Sequence, residues 1–262
     1  MSSRTTYLAE LAGLSPAEWR GYLAERSGLP GPRANLTLAQ AVADVADERM
    51  LHSLSESADE FEALCGTIGL GRLLAEAPAG SSPLWRRLAD LAADDRWRVR
   101  EGVALALQRV GDADRPAFWA LLAVWSGEGV DPAPPTANGL LRARAVAAAA
   151  AEPRLVKEHS DAVRALHVLE GCTTLLLNIP AEARRADRRL AEAVRVLRQT
   201  LGYAFSVVGV AAPTETFSAL ERWAMTGDPD ARQLVRENLK KARLTKADAT
   251  RASALSARLA TG

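Results

Sequence analysis

Two stretches of this chain repeat one pattern, and that pattern restricts the fold more than any other feature. Leu220-Glu221-Arg222-Trp223, then Asp228-Pro229-Asp230-Ala231-Arg232, then Val235-Arg236-Glu237-Asn238-Leu239-Lys240-Lys241 reads as a helix, an acidic turn and a second helix. Leu88 to Arg109 echoes it, with Asp94-Asp95 at the turn and Val99, Arg100, Glu101, Val103 and Leu107 beyond. Val99, Val103, Leu107 and Val110 step by four, four and three, which makes one apolar stripe on a helix. A helix pair of this kind cannot bury its apolar faces alone, so it has to stack on neighbouring pairs.

Composition agrees with stacked helices. Alanine, the best helix former, is abundant, and aromatics are only 5%, so helices can approach closely. No sustained alternation of β-branched and aromatic residues marks a strand, and the expected class is all-α. At 262 residues the chain can bury a large core without a staple. Cys65 and Cys172 have no CxxC partner and no histidine at metal spacing. Neither a disulfide framework nor a metal site is expected, and no cofactor is implied. No apolar h-region follows Met1-Ser2-Ser3-Arg4. The longest nearly apolar runs, Ala143 to Ala151 and Tyr203 to Pro213, are too short to span a bilayer. The expectation is a soluble cytoplasmic protein with no membrane partner.

Caps and breaks place the elements. Ser15-Pro16-Ala17-Glu18 is a capping box for a helix through Trp19, Tyr22 and Leu23 that stops at Gly28. Asn35 caps a long helix carrying Leu38, Val42, Val45 and Ala46. The spacing predicts a helix from Ala58 to Ile68, interrupted by Gly66, Gly69 and Gly71 and completed by Leu70 to Ala75. Asp161 is the expected cap of a helix through Leu176. Further helices are expected over Ala183 to Gly202 and over Lys246 to Leu259, the last capped near Thr245. Phe205 to Val210 has no strand partner and reads as a buried helix turn. Ser126 to Gly139, with three prolines, is the best internal boundary within a single α-solenoid spanning 1–262. It separates residues 1–139 (13 Lys and Arg, 19 Asp and Glu) from residues 140–262 (20 and 13), an acidic and a basic part.

The helix pairs recur about every forty residues, the period of HEAT and armadillo repeats. Asp-Pro-Asp-Ala-Arg followed by Val-Arg-Glu-Asn-Leu-Lys-Lys, and Trp97-Arg98-Val99-Arg100-Glu101, resemble HEAT-like repeats over roughly 83–125 and 214–245. In particular they resemble the solenoids that include the AlkD-type alkylpurine DNA glycosylases and a bacterial HEAT-repeat group. That resemblance implies a concave cleft lined by Trp and an Asp, with Arg and Lys holding a DNA backbone. No individual Asp aligns with a catalytic one, so no catalytic residue is carried over.

Arg232, Arg236 and Lys240 fall four apart on one helix face, joined by Lys241 and Arg243. On a concave wall such a stripe neutralises phosphates without reading sequence. Alternatively Arg232 pairs with Asp228, and Arg236 with Glu237 or Asp230, along a structural ladder. Arg188 and Arg195 on a second basic helix, and Arg98 and Arg100 in the earlier copy, are further candidates for nucleic-acid contact. Trp97, between Arg96 and Arg98, and Trp223 are candidate aromatic contacts, whereas Trp119 beside Phe118 and Leu122 reads as core. Gly66-Thr67-Ile68-Gly69-Leu70-Gly71 lacks the strand and the Lys-Ser/Thr of a phosphate loop and reads as a helix-ending bend. With no catalytic constellation, the expected function is a non-catalytic scaffold binding a protein partner or duplex DNA. The alternative is a DNA-repair protein of the glycosylase kind.

Overall fold

A computed structural model describes residues 3–15, 17–77, 82–127 and 135–261. Among these residues there are sixteen helices and no strand. The chain divides into two compact units, Met1–Arg115 and Pro116–Gly262. Residues 128–134 of the proposed boundary segment, and Pro16 of the capping box, lie outside the described residues.

The first unit holds α1 (Arg4–Ala12), α2 (Trp19–Arg26), α3 (Leu36–Val45), α4 (Glu48–Ser55), α5 (Glu60–Glu76), α6 (Ser82–Leu91) and α7 (Trp97–Ala113). Helices α1, α3, α5 and α7 pack side by side, and α2, α4 and α6 pack against α5. The odd-numbered helices thus form a row in which each meets the next but one, with α5 as the shared support of the shorter helices. Asn35 caps α3 as its position predicts, accepting from the Leu38 N–H. The helix ends sooner than expected: Val45 is its last residue and is 45% exposed. Asp47 then caps the additional helix α4 through the Met50 N–H. Glu18 accepts from the Ser15 N–H at 2.8 Å, but Ser15 does not cap the helix: α2 starts at Trp19, with Glu18 at the cap position.

The largest correction concerns α5. It runs unbroken through Gly66, Gly69 and Gly71, which neither interrupt nor bend it. These glycines are contact notches. A Cβ on Gly66 would stand 2.1 Å from the Ser55 backbone nitrogen, and one on Gly71 would stand 2.3 Å from the Ala106 carbonyl oxygen. Their bare backbone lets α4 and α7 lie directly against opposite sides of α5. Around this contact Leu51, Leu54, Phe61, Leu64 and Ile68 are buried in one core.

The second unit holds α8 (Arg115–Trp125), α9 (Ala137–Ala150), α10 (His159–Leu177), α11 (Ala181–Ala186), α12 (Arg188–Val208), α13 (Pro213–Met225), α14 (Pro229–Leu239), α15 (Ala242–Ala247) and α16 (Ala249–Thr261). Helices α9, α12 and α14 lie side by side. Helices α10, α13 and α16 form a second layer against them. Of the expected buried turn Phe205 to Val210, Phe205 to Val208 is helical and buried as the end of α12, whereas Gly209 and Val210 lie beyond the helix and Val210 is exposed. The predicted helix over Ala183 to Gly202 is therefore two helices. It breaks at Asp187, whose side chain accepts from the Arg189 and Leu190 N–H groups to start α12. Asp161 does not cap α10, which starts two residues earlier. Its carboxylate instead accepts from the Trp119 indole N–H at 2.7 Å, and Trp119 is buried as expected. The final helix starts at Ala249, not Lys246. Asp248 supplies its cap by accepting from the Arg251 N–H, because Ala242–Ala247 forms the separate helix α15.

Helices α12 and α14 run in the same direction. Arg198 meets Asp230 near the start of α14, and Ser206 meets Asn238 near its end. Asn238 is fully buried. Its Oδ1 accepts from the Ser206 N–H at 2.9 Å, and its Nδ2 donates to the Leu201 and Leu234 carbonyls at 2.8 and 2.9 Å. Every polar atom of the amide is thus satisfied, as burial requires. The helices come this close because α12 carries Gly202 at the contact, where a Cβ would lie 3.2 Å from Glu237 Cβ.

Candidate functional site

Along α12, Arg188, Glu192, Arg195, Gln199 and Tyr203 are all exposed, at steps of four, three, four and four. Along α14, Gln233, Arg236 and Lys240 are exposed in the same way. Between the two helices lies a groove of about 230 Å³ lined by Arg198, Gln199, Gly202, Tyr203, Gln233, Leu234, Glu237 and Lys241. A second depression of about 410 Å³, lined by Arg236, Leu239, Lys240, Ser256, Leu259 and Ala260, lies between α14 and α16.

Arg198, which lines the first groove, is held by a buried carboxylate. Asp230 accepts from Arg184, and from Arg198 at 2.7 Å. Burial raises its pKa, but the hydrogen bonds and charges of Arg184 and Arg198 outweigh that effect and hold it below the usual aspartate range. Glu237, at the wall, accepts from Lys240 at 2.6 Å, and that bond holds its carboxyl low despite some desolvation. Burial raises the pKa of the Tyr203 phenol, and the charges of Arg144 and Arg243 offset part of that rise.

The structure brings only part of the predicted basic set to this groove. Lys241 lines it and Arg243 acts on Tyr203 beside it. Arg188 and Arg195 lie on the exposed face of α12, and Arg195 is held by Glu192 through its Nε at 2.8 Å. Arg232 and Arg236 both turn away to the Leu259 carbonyl near the end of α16, at 3.3 and 3.1 Å. The expected pairings with Asp228, Asp230 and Glu237 are not made. Asp228 caps α14, Asp230 is occupied by Arg184 and Arg198, and Glu237 by Lys240.

In the first unit Trp97 is 48% exposed, and the Arg98 guanidinium lies 5.0 Å from its ring centroid. Arg98 also donates to the Pro32 carbonyl at 3.0 Å, and Arg100 to the Asp94 and Asp95 carbonyls at 2.6 and 2.8 Å. Trp223 is half-buried on α13.

Donation to carbonyls recurs across the molecule. Arg72 reaches Ala43 and Ala46 at the end of α3, Arg87 reaches Ser55 at the end of α4, and Arg184 reaches Leu176 and Ile179 at the end of α10. The last carbonyls of a helix lack intrahelical donors and carry the negative end of its dipole, so a cation suits them. Arg232 and Arg236, which read as part of a basic face, are held in the same way near the end of α16.

The sequence candidates did not include Gln199, Tyr203 and Gln233. Gln199 and Tyr203 continue the Arg188-Glu192-Arg195 spacing, and that spacing was the available signal.

Arg236→Ala follows from this geometry. Arg236 is exposed and Arg232 still serves the Leu259 carbonyl, so we expect a stability loss of no more than about 1 kcal/mol. Removing both arginines should cost about twice as much or more, because the carbonyl then has neither donor. Thermal melts of the single and double variants check this.

The geometry thus defines an all-α protein of layered, successively packed helices with a polar groove in its second unit. No protein-family model, curated protein or solved structure matches the chain. Among the described residues no helix is long and apolar enough to cross a membrane, and no group of His, Cys, Asp and Glu could hold a metal ion. Cys65 and Cys172 are buried free thiols, and burial pushes both thiol pKa values up, that of Cys172 to about 12.

Proposed function

We propose that this chain is a non-catalytic, HEAT-like scaffold of the cytoplasm that holds a protein partner along the exposed faces of α12 and α14. The observation that carries the reading is the groove between those helices. Its lining presents two amides, a phenol, two cations and the Glu237 carboxylate, which Lys240 holds. Amide side chains both donate and accept, as a peptide backbone does, whereas phosphates accept only. The engagement of Arg232, Arg236, Arg98 and Arg100 with carbonyls supports a protein partner over duplex DNA. Arginines already bound to carbonyls are poorer phosphate contacts, because reaching a phosphate gives up that bond.

The test is selection of peptides from a random library, with hydrogen exchange mapping the bound site. Selected peptides should slow exchange in α12 and α14. Salt-dependent binding of duplex DNA at low ionic strength, mapped to the same helices, would replace this reading with the nucleic-acid one.

A further inference from the structure

The charges around the α12–α14 groove do not balance. Arg184 and Arg198 share one carboxylate, Asp230. Lys240 takes Glu237, and the nearby Lys241 adds its charge to the same carboxylate. Four cations therefore face two carboxylates. Arg198 uses one N–H for Asp230, which fixes its guanidinium while it also lines the groove. It lines the groove level with the start of α14 and Lys241 lines it just past the end of α14, with Gln199, Tyr203, Gln233 and the Lys240-bound Glu237 also in the lining. Arg243 and Arg144 add positive potential at Tyr203, and Glu152 opposes them. The second unit as a whole carries 20 Lys and Arg against 15 Asp and Glu, so no distant excess of acid cancels the local surplus.

We infer that this groove is an acidic-peptide site, in which Arg198 at one end and Lys241 at the other each attract a carboxylate side chain of the partner while Gln199 and Gln233 hold the peptide backbone between them. This rests on the scaffold reading above and adds the partner's chemistry. A pre-oriented guanidinium loses little freedom on binding a carboxylate, and the low-dielectric groove wall strengthens the attraction. The amides fix direction along the two parallel helices. A duplex backbone presents acceptors only, which would leave the amide carbonyls unpaired.

The probe is a short fluorescein-labelled peptide of alternating Glu and Ser, with Gln replacing Glu in the control, titrated into the full chain and followed by anisotropy. We expect the Glu peptide to bind, the Gln peptide to bind at least about tenfold more weakly, and Lys241→Glu to weaken the Glu peptide about tenfold. Lys241→Gln should fall between. Lys241 makes no tertiary hydrogen bond through its side chain among those described, so unchanged melting of both variants verifies that folding is intact. Equal binding of the Glu peptide to wild type and Lys241→Glu overturns the site, as does equal binding of the Glu and Gln peptides. Library peptides that protect α12 and α14 without being acidic overturn the anion preference alone and leave the scaffold standing. A library yielding no peptide that protects these helices overturns both. Displacement of the Glu peptide by duplex DNA at equal concentration assigns the groove to nucleic acid and overturns the proposal.

Discussion

Gly66→Ala should destabilise the first unit by about 3 kcal/mol and lower its melting temperature by roughly 6–12 °C. Alanine is normally the better helix residue by about 1 kcal/mol, so propensity alone predicts stabilisation. Sterics decide otherwise. The new Cβ would sit 2.1 Å from the Ser55 nitrogen and 2.6 Å from the Leu54 carbonyl carbon, and backbone cannot rotate aside as a side chain can. Helix α4 would have to move off α5 and open the packing around Leu51, Leu54 and Phe61, all of which are buried. Gly69→Ala is the informative comparison. The three atoms nearest its Cβ would all belong to the Leu51 side chain, whose rotamer can yield, so its loss should be smaller. Gly21→Ala has nothing within 4 Å on exposed α2 and should stabilise by about 0.5–1 kcal/mol. Melts of the three variants in one buffer give the order. A Gly66 variant as stable as wild type would mean that α4 and α5 are not in backbone contact.

Asp230→Ala is expected to cost the second unit about 3–5 kcal/mol, the cost of leaving a partly buried charge network without its counter-ion. Arg184 and Arg198 would both lose their carboxylate, and the start of α14 would lose its tie to α11 and α12. The pH dependence has a defined sign. The folded carboxyl titrates below its unfolded value of about 3.9. Its contribution is therefore fully present above about pH 4 to 5 and is lost as pH falls through the lower, folded value. Asp230→Asn should be less stable at neutral pH and should lose stability less steeply between about pH 5 and 2 than wild type does. Chemical denaturation across that range, followed by circular dichroism, measures both slopes. Identical slopes would remove Asp230 from the acid response.

What could be read from the sequence follows what a side chain announces locally. Asn35 caps the next turn of its own helix, and its position sufficed to place it. Val99, Val103, Leu107 and Val110 share one face of α7 and are all buried, as their spacing requires. Phe205 to Val208 is β-branched and apolar, yet with no partner strand it had to be helical. The glycines of α5 could not be read this way. A glycine looks the same in a bend and in a notch, and only the backbone of another helix tells them apart. Asp161 resembles a cap, but its acceptor was claimed by Trp119, 42 positions earlier in the chain. The partners of Arg232 and Arg236 could not be read for a similar reason. The partners of Arg232 and Arg236 are not acidic letters but the Leu259 carbonyl, which every residue type carries. Gln199 and Gln233 acquire meaning only because Gly202 and Asn238 bring α12 and α14 together around them.

The arginine caps have a consequence for how the helices are aligned lengthwise. Apolar stripes fix which faces meet but hold axial sliding only loosely. Each guanidinium of Arg72, Arg87, Arg184 and Arg236 reaches the terminus of a different helix from its own. A shift of one residue moves that terminus by about 1.5 Å, enough to break the bond. These side chains therefore act as end stops. A helix lengthened or shortened by one residue would still bury its stripe, but it would no longer meet its stop.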